Sequence, residues 1–214
     1  RLLYLEKILA IKGAVDYHTG NVIFPGDIYI EGAVRDGFKL YSGGMIVVKS
    51  TLDASDVNAK GDLIVSGGII GRKSGRVRVG GKLQAKFLEN CHAAVKGNAE
   101  IQTEIVNSKL YVLGHLLMGE KAKVAGGEIW AVHGVRTNQA GTPSGQRTLI
   151  RAGTDFTVQQ RLDLANERLE LLAMKEQKAK AMMAARPSGK LEAILREIAK
   201  MQAALSNMIG VLLQ

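Results

Sequence analysis

Along most of this chain, apolar residues recur at alternate positions behind a glycine. The pattern is Gly, any residue, apolar, any residue, apolar, and it begins at Gly26, Gly44, Gly61, Gly81, Gly97, Gly114 and Gly127, with spacings of 18, 17, 20, 16, 17 and 13 residues. One apolar column holds Ile28, Ile46, Leu63, Leu83, Ala99, Leu116 and Ile129; the other holds Ile30, Val48, Val65, Ala85, Ile101, Met118 and Ala131. Alternation with a period of two predicts strands with one buried face. The intervening half-coils alternate too, at Phe38 and Leu40, Val57, Val77 and Val79, Ala93 and Val95, Leu110 and Val112, Ala122 and Val124. Such a recurrence is too short for a strand–helix–strand unit of ~30 residues. It suits one coil of a parallel β-solenoid, each strand pairing with its counterpart in the next coil. An antiparallel sandwich would leave unexplained why the glycine column returns at every second strand. The expected fold is therefore a right-handed parallel β-solenoid over residues 15–157, with seven coils stacked at ~4.8 Å each. The recurrent glycines are expected to supply positive φ at the corners.

The pattern changes near Val158. Glycine nearly disappears, and Leu162, Ala165, Leu169, Leu172, Glu176, Ala179 and Met183 step by three and four. Arg186-Pro187-Ser188-Gly189 breaks the run, and Leu191, Ile194, Ile198, Met201, Leu205, Met208 and Leu212 resume it. This stepping predicts an antiparallel coiled-coil helical hairpin over residues 158–214. Leu164, Leu171, Leu195 and Ile209 widen its apolar stripe. The stripe is read as packing on the solenoid, with a partner surface, including association between copies of the chain, as the other reading. Residues 1–14, apolar at Leu2, Leu3, Leu5, Ile8, Leu9 and Ile11, form a cap or the remnant of a preceding domain, as a short helix or a first irregular coil. With no Met at its start, the chain is expected to be a piece of something longer.

Composition narrows the picture. There are 25 glycines but only three prolines in 214 residues, so the glycine content reflects a repeat rather than a linker. One cysteine, Cys91, excludes an intramolecular disulfide framework and fits a reducing compartment. No apolar run approaches the ~20 residues needed to span a bilayer.

Several stretches resemble a known family. Val15-Asp16-Tyr17-His18-Thr19-Gly20-Asn21-Val22 is similar to the opening motif of the bacterial flagellar assembly protein A family. Gly61-Asp62-Leu63-Ile64-Val65, Gly67-Gly68-Ile69-Ile70-Gly71 and Ala85-Lys86-Phe87-Leu88-Glu89-Asn90 resemble its coil motifs in the same order, so that the likeness covers residues 13–155. It implies a β-solenoid domain, usually behind a separate N-terminal domain, with a cytoplasmic, non-catalytic role in flagellar assembly or polar placement. The implied partners are proteins of the flagellar or polar machinery; no catalytic or cofactor residue is carried over.

The position after each repeat glycine should project outward, giving Asp27, Met45, Asp62, Lys82, Asn98, His115 and Glu128. Carbohydrate-active solenoids gather carboxylates on adjacent coils. Here Met45 separates Asp27 from Asp62, and both are read as solvated. His18, His92, His115 and His133 show no metal-ligand spacing, and His115 and His133 should not stack. Cys91 and His92 should point to opposite faces of a strand. Gly67 to Ser74 resembles a phosphate-binding loop, but Arg72 separates Gly71 from Lys73 and strands follow. Catalysis, metal and cofactor are therefore not expected.

One cluster remains. Arg72, Lys73, Arg76, Arg78 and Lys82 fall within eleven residues, with no acid between Asp62 and Glu89, on what is read as one long corner. They are the candidate partner-docking residues. With a net charge of +9, a cationic module for nucleic acid or an anionic surface is the alternative function. Nucleic acid is disfavoured because no aromatic stacking platform is evident. The polar stretch between His133 and Thr148 is read as leading the chain into its last coil, with contact to a partner as the other reading.

Overall fold

The computed structural model of the chain describes residues 7–53, 56–72, 75–142, 145–153, 155–185 and 188–212. Leu2, Leu3, Leu5, Lys73, Ser74, Pro143, Ser144, Arg186 and Pro187 lie outside the described residues. The chain divides into two compact units, Arg1–Thr154 and Asp155–Gln214.

The first unit is a parallel β-solenoid of about eight turns, and each turn has three sides rather than two. Face A stacks Ile8–Ile11, Asp27–Ile30, Ile46–Val48, Leu63–Val65, the starts of Leu83–Glu89 and Ala99–Val112, then His115–Met118 and Gly134–Arg136. Face B stacks Val22–Phe24, Lys39–Ser42, Asp56–Ala59, Arg76–Val79, His92–Val95, the end of Ala99–Val112, the end of Lys123–Ala131, and Thr148–Ala152. Face C is narrow: it contributes Val15, Val34, Leu52, Ile69, Leu88, Ile105 and Val124 to the core, one residue per turn. All pairings are parallel and in register, apart from a bulge between Ala85 and Phe87.

The first six members of each expected column occupy face A as read from the sequence, and all are buried. The seventh is corrected. Gly127 opens a strand of face B, where Ile129 stacks on Leu110; the true successor of Leu116 on face A is Val135. Val124 likewise belongs to face C, stacked on Ile105. Gly127 has φ +92 and stands at another corner, where a glycine before alternating apolar residues mimics the repeat.

A second correction concerns why glycine recurs. None of Gly26, Gly44, Gly61, Gly81, Gly97 and Gly114 has positive φ. Their Cα hydrogens point along the axis at the previous turn, where a Cβ would meet other atoms. On Gly44 it would overlap Asp27 Oδ1, and on Gly81 it would overlap Asp62 Oδ1. Those oxygens are there for a reason: the Met45 N–H donates to Asp27 Oδ1 at 2.7 Å, and the Lys82 N–H donates to Asp62 Oδ1 at 2.8 Å. Asn98 Oδ1 accepts the His115 N–H in the same way at 2.9 Å. The outward column is thus not simply solvated. Every second turn carries an Asx side chain that satisfies a backbone donor of the next, and glycine leaves room for it.

In the turn between Leu63 and Leu83, the Gly75 N–H donates to the Gly71 carbonyl at 2.6 Å. Between His133 and Thr148 the chain completes its eighth turn, with Gln139–Ala140 stacked on Lys123–Val124.

The second unit comprises α1 (Phe156–Ala185) and α2 (Gly189–Leu212), packed on each other. On α1, Ala165, Leu172 and Ala179 are buried at seven-residue intervals, as the heptad reading expects. On α2 half of the expected stripe holds, with Leu191 and Leu205 half-buried on the side of Ile198, and the other half is shifted by one residue. Ile198 is buried and Leu195, Gln202 and Ile209 are half-buried, whereas Ile194, Met201 and Met208 are 46%, 43% and 43% exposed. Residues three and four apart offer two candidate stripes, and Glu176 distinguishes them by accepting a 2.9 Å hydrogen bond from Gln202.

Candidate docking face

The outward side of face B carries two rows of side chains one turn apart. Successive turns place Lys39, Asp56, Arg76, His92, Lys109 and Glu128 in one row. The other row holds Ile23, Tyr41, Asn58, Arg78, Ala94, Tyr111, Trp130 and Arg151. This face receives only part of the cationic cluster expected from the sequence. Arg76 and Arg78 lie on a strand, exposed, rather than on a corner. Arg72 sits in the preceding turn at φ 43, its guanidinium 2.8 Å from Asp53 Oδ2 and 3.8 Å from Asp36 Oδ2. The hydrogen bond and charge of Asp53 raise its pKa further, so its charge is internally balanced. Lys82 follows Gly81 at the next face A corner, and Lys73 lies outside the described residues. The five residues therefore do not share a corner.

What the sequence reading missed is supplied by stacking. His92 and Lys109 stand directly above Arg76, at intervals of 16 and 17 residues. Acids bound this row, but each has another partner: Asp56 lies 3.4 Å from Arg78, and Glu128 accepts a 2.6 Å hydrogen bond from Trp130 Nε1. Among the described residues, none of Arg76, His92 and Lys109 has a carboxylate within 4.0 Å. In the neighbouring row, the short side chain of Ala94 between Arg78 and Tyr111 leaves a hollow of about 160 Å³. Beyond it, Trp130 lies between Tyr111, 6.4 Å away, and Arg151, whose guanidinium carbon is 4.4 Å from the ring centre. This aromatic pair was not foreseen. Trp130 is nevertheless only 7% exposed, so it offers no ring face for a base.

The remaining chemical candidates resolve differently. Cys91 is fully buried, with its thiol pushed up to about 11 by desolvation, and is protonated at neutral pH; His92 points outward. His115 and His133 do meet, with ring centres 5.4 Å apart, contrary to expectation. The misplacement of Gly127 concealed this: Gly134, next to His133, is the residue paired with His115. Both rings are exposed, and among the described residues no group of three or more His, Cys, Asp or Glu is arranged to hold a metal ion. Among the described residues, no helix is long and apolar enough to cross a membrane.

The solenoid agrees with one family comparison: the flagellar assembly protein A β-solenoid domain model matches residues 7–213. The chain belongs to the flagellar assembly protein A β-solenoid family. That match takes in both α1 and α2, beyond the stretch covered by the motifs quoted from the sequence. No curated protein and no solved structure matches the chain. In the helical unit, the exposed apolar residues Leu164, Leu171, Ile194, Met201 and Met208 recur every seven residues, and a groove of about 470 Å³ lies between Leu171, Lys175, Met201 and Leu205.

Proposed function

We propose that this chain is a non-catalytic cytoplasmic scaffold acting in flagellar assembly or polar placement through protein–protein contacts. The observation that carries the reading is how the solenoid uses its polar groups. Asp27 and Asp62, the best-placed carboxylates for catalysis, are spent on backbone donors. The outward side of face B instead gathers Arg76, Arg78 and Lys109 on neighbouring turns. Such surfaces suit partner recognition more than turnover. The exposed heptad positions of the hairpin support association between copies of the chain, because a second copy supplies helices of the same period.

The test is complementation of motility and affinity capture from a bacterium that carries the natural gene, comparing the full chain with one ending at residue 154. A scaffold retains partners on the solenoid and loses self-association on truncation. Turnover of a polysaccharide or nucleotide by the purified chain, abolished by one surface substitution, overturns the reading. A steep loss of partner binding with salt that is reproduced with single-stranded DNA favours the cationic nucleic-acid alternative.

A further inference from the structure

The row of Arg76, His92 and Lys109 places two fixed positive charges two turns apart, on either side of a histidine. Arg76 and Lys109 bracket His92 with no carboxylate within 4.0 Å among the described residues, and Arg78, paired with Asp56, lies beside them as a third cation. The carboxylates at the ends of the row are held by Arg78 and Trp130. Positive side chains without a carboxylate partner thus stand on the middle turns of face B, at Arg76 and Lys109. Beside them lies the Ala94 hollow, bounded by Arg76, Arg78, His92 and Tyr111. Cations surrounding a small apolar depression describe a partner with acidic groups and one apolar anchor.

Spacing determines the backbone that brings them. Three rungs span about 9.6 Å at ~4.8 Å per turn. An α-helix repeats a surface position about every 5.4 Å, so residues i and i+7 lie about 10.5 Å apart. An extended strand repeats one face about every 6.7 Å, and two such steps cover about 13 Å. A helix running along the solenoid axis therefore keeps step with the cations, whereas a strand drifts out of phase. Stacked nucleobases fit less well, because Trp130 is enclosed by Tyr111 and Arg151.

We infer that the outer side of face B, centred on Arg76, His92, Lys109 and the Ala94 hollow, binds an acidic amphipathic helix of a partner protein, with its acids on the cations and one apolar residue in the hollow. This deepens the scaffold reading and rests on it. The experiment uses the purified chain and a stapled acidic helical peptide of roughly 15 residues, long enough to hold helical turns, with a central Leu flanked by Glu at heptad spacing. Binding is followed by fluorescence anisotropy, with poly-glutamate and single-stranded DNA as comparison probes. The expected result is salt-sensitive binding, weakened at least tenfold by the double change Arg76→Glu and Lys109→Glu. Ala94→Phe, which fills the hollow without altering charge, should weaken the peptide at least tenfold and leave poly-glutamate unaffected. Lys82→Glu, the same charge reversal off this face, should change nothing. Melting curves of each variant separate loss of binding from loss of fold.

Three results overturn the inference: no binding of the peptide by the wild type, equal binding by the folded Ala94→Phe variant, or tighter binding of either comparison probe. Each speaks to this face alone, since the scaffold reading is judged by complementation and capture in cells.

Discussion

The carboxylate of Asp62 accepts the backbone N–H of Lys82, one turn further along the solenoid, at 2.8 Å, in space that exists because residue 81 is glycine. The two positions are therefore coupled. Asp62→Ala should lower stability by about 1–3 kcal/mol, the range for losing a partly buried hydrogen bond to a charged group. Asp62→Asn should retain most of the stability. Gly81→Ala should be severe in the wild type and milder in an Asp62→Gly background, where its Cβ meets less. A double-mutant cycle on denaturant midpoints reads the coupling, and strict additivity would remove the capping account.

Charge placed in the core columns should unfold the solenoid. Ile46 and Leu63 are fully buried on successive turns of face A, so Ile46→Asp or Leu63→Asp introduces an unpaired carboxylate into the stack. Tyr29 points outward beneath Lys49, 5.6 Å from its ring centre. Tyr29→Asp should remain folded, with a melting temperature far closer to wild type. Circular dichroism melts check both, and similar losses inside and outside would contradict the register.

The buried thiol predicts a pH dependence. Desolvation raises the Cys91 pKa from 9.0 to about 11, so the folded state holds its proton where the unfolded chain releases it. That stabilising difference is complete below pH 9 and is lost as pH rises from 9 to about 11. Relative to Cys91→Ala, the wild type should lose stability across this window, measured by chemical denaturation. Native Cys91 should also resist thiol reagents at neutral pH until the solenoid is unfolded.

In the hairpin, Ile198→Ala should cost about 2–4 kcal/mol because it opens a cavity in the seam. Met201→Ala, at an exposed position, should cost little at protein concentrations low enough to keep copies apart. Thermal unfolding of the two variants at several concentrations checks this. The opposite ranking would restore the seam through Ile194, Met201 and Met208.

Much of the solenoid was legible because face A sends two residues per turn into the core, enough to produce visible alternation. Face C sends only one per turn, from Val15 through Val34, Leu52 and Ile69 to Val124, and a single residue cannot alternate. Its signal was the interval itself, 17 to 19 residues between successive members, which a search for strands passes over. The last turn was misread because Gly127, a corner glycine of another face, begins the same local pattern. The candidate face shows the same division. Arg76 and Arg78 stand out as neighbours in sequence, but His92 and Lys109 join them only through pairing between turns. Stepping from Arg76 by the repeat lengths of 16 and 17 would have found both. The Asx caps were hidden for another reason: an outward Asp ordinarily reads as solvated, and only the glycine one turn later reveals its bond.

Those caps also bear on how such a protein can change its length. Asp27, Asp62 and Asn98 each lie two turns from the next, and each serves the intervening turn at Met45, Lys82 or His115. Capping and capped turns alternate, so removing or duplicating a single turn sets two capped or two capping turns against each other. Removing or duplicating a pair keeps every bond. By this logic the inheritable module is a two-turn cassette, and viable length variants should differ by even numbers of turns.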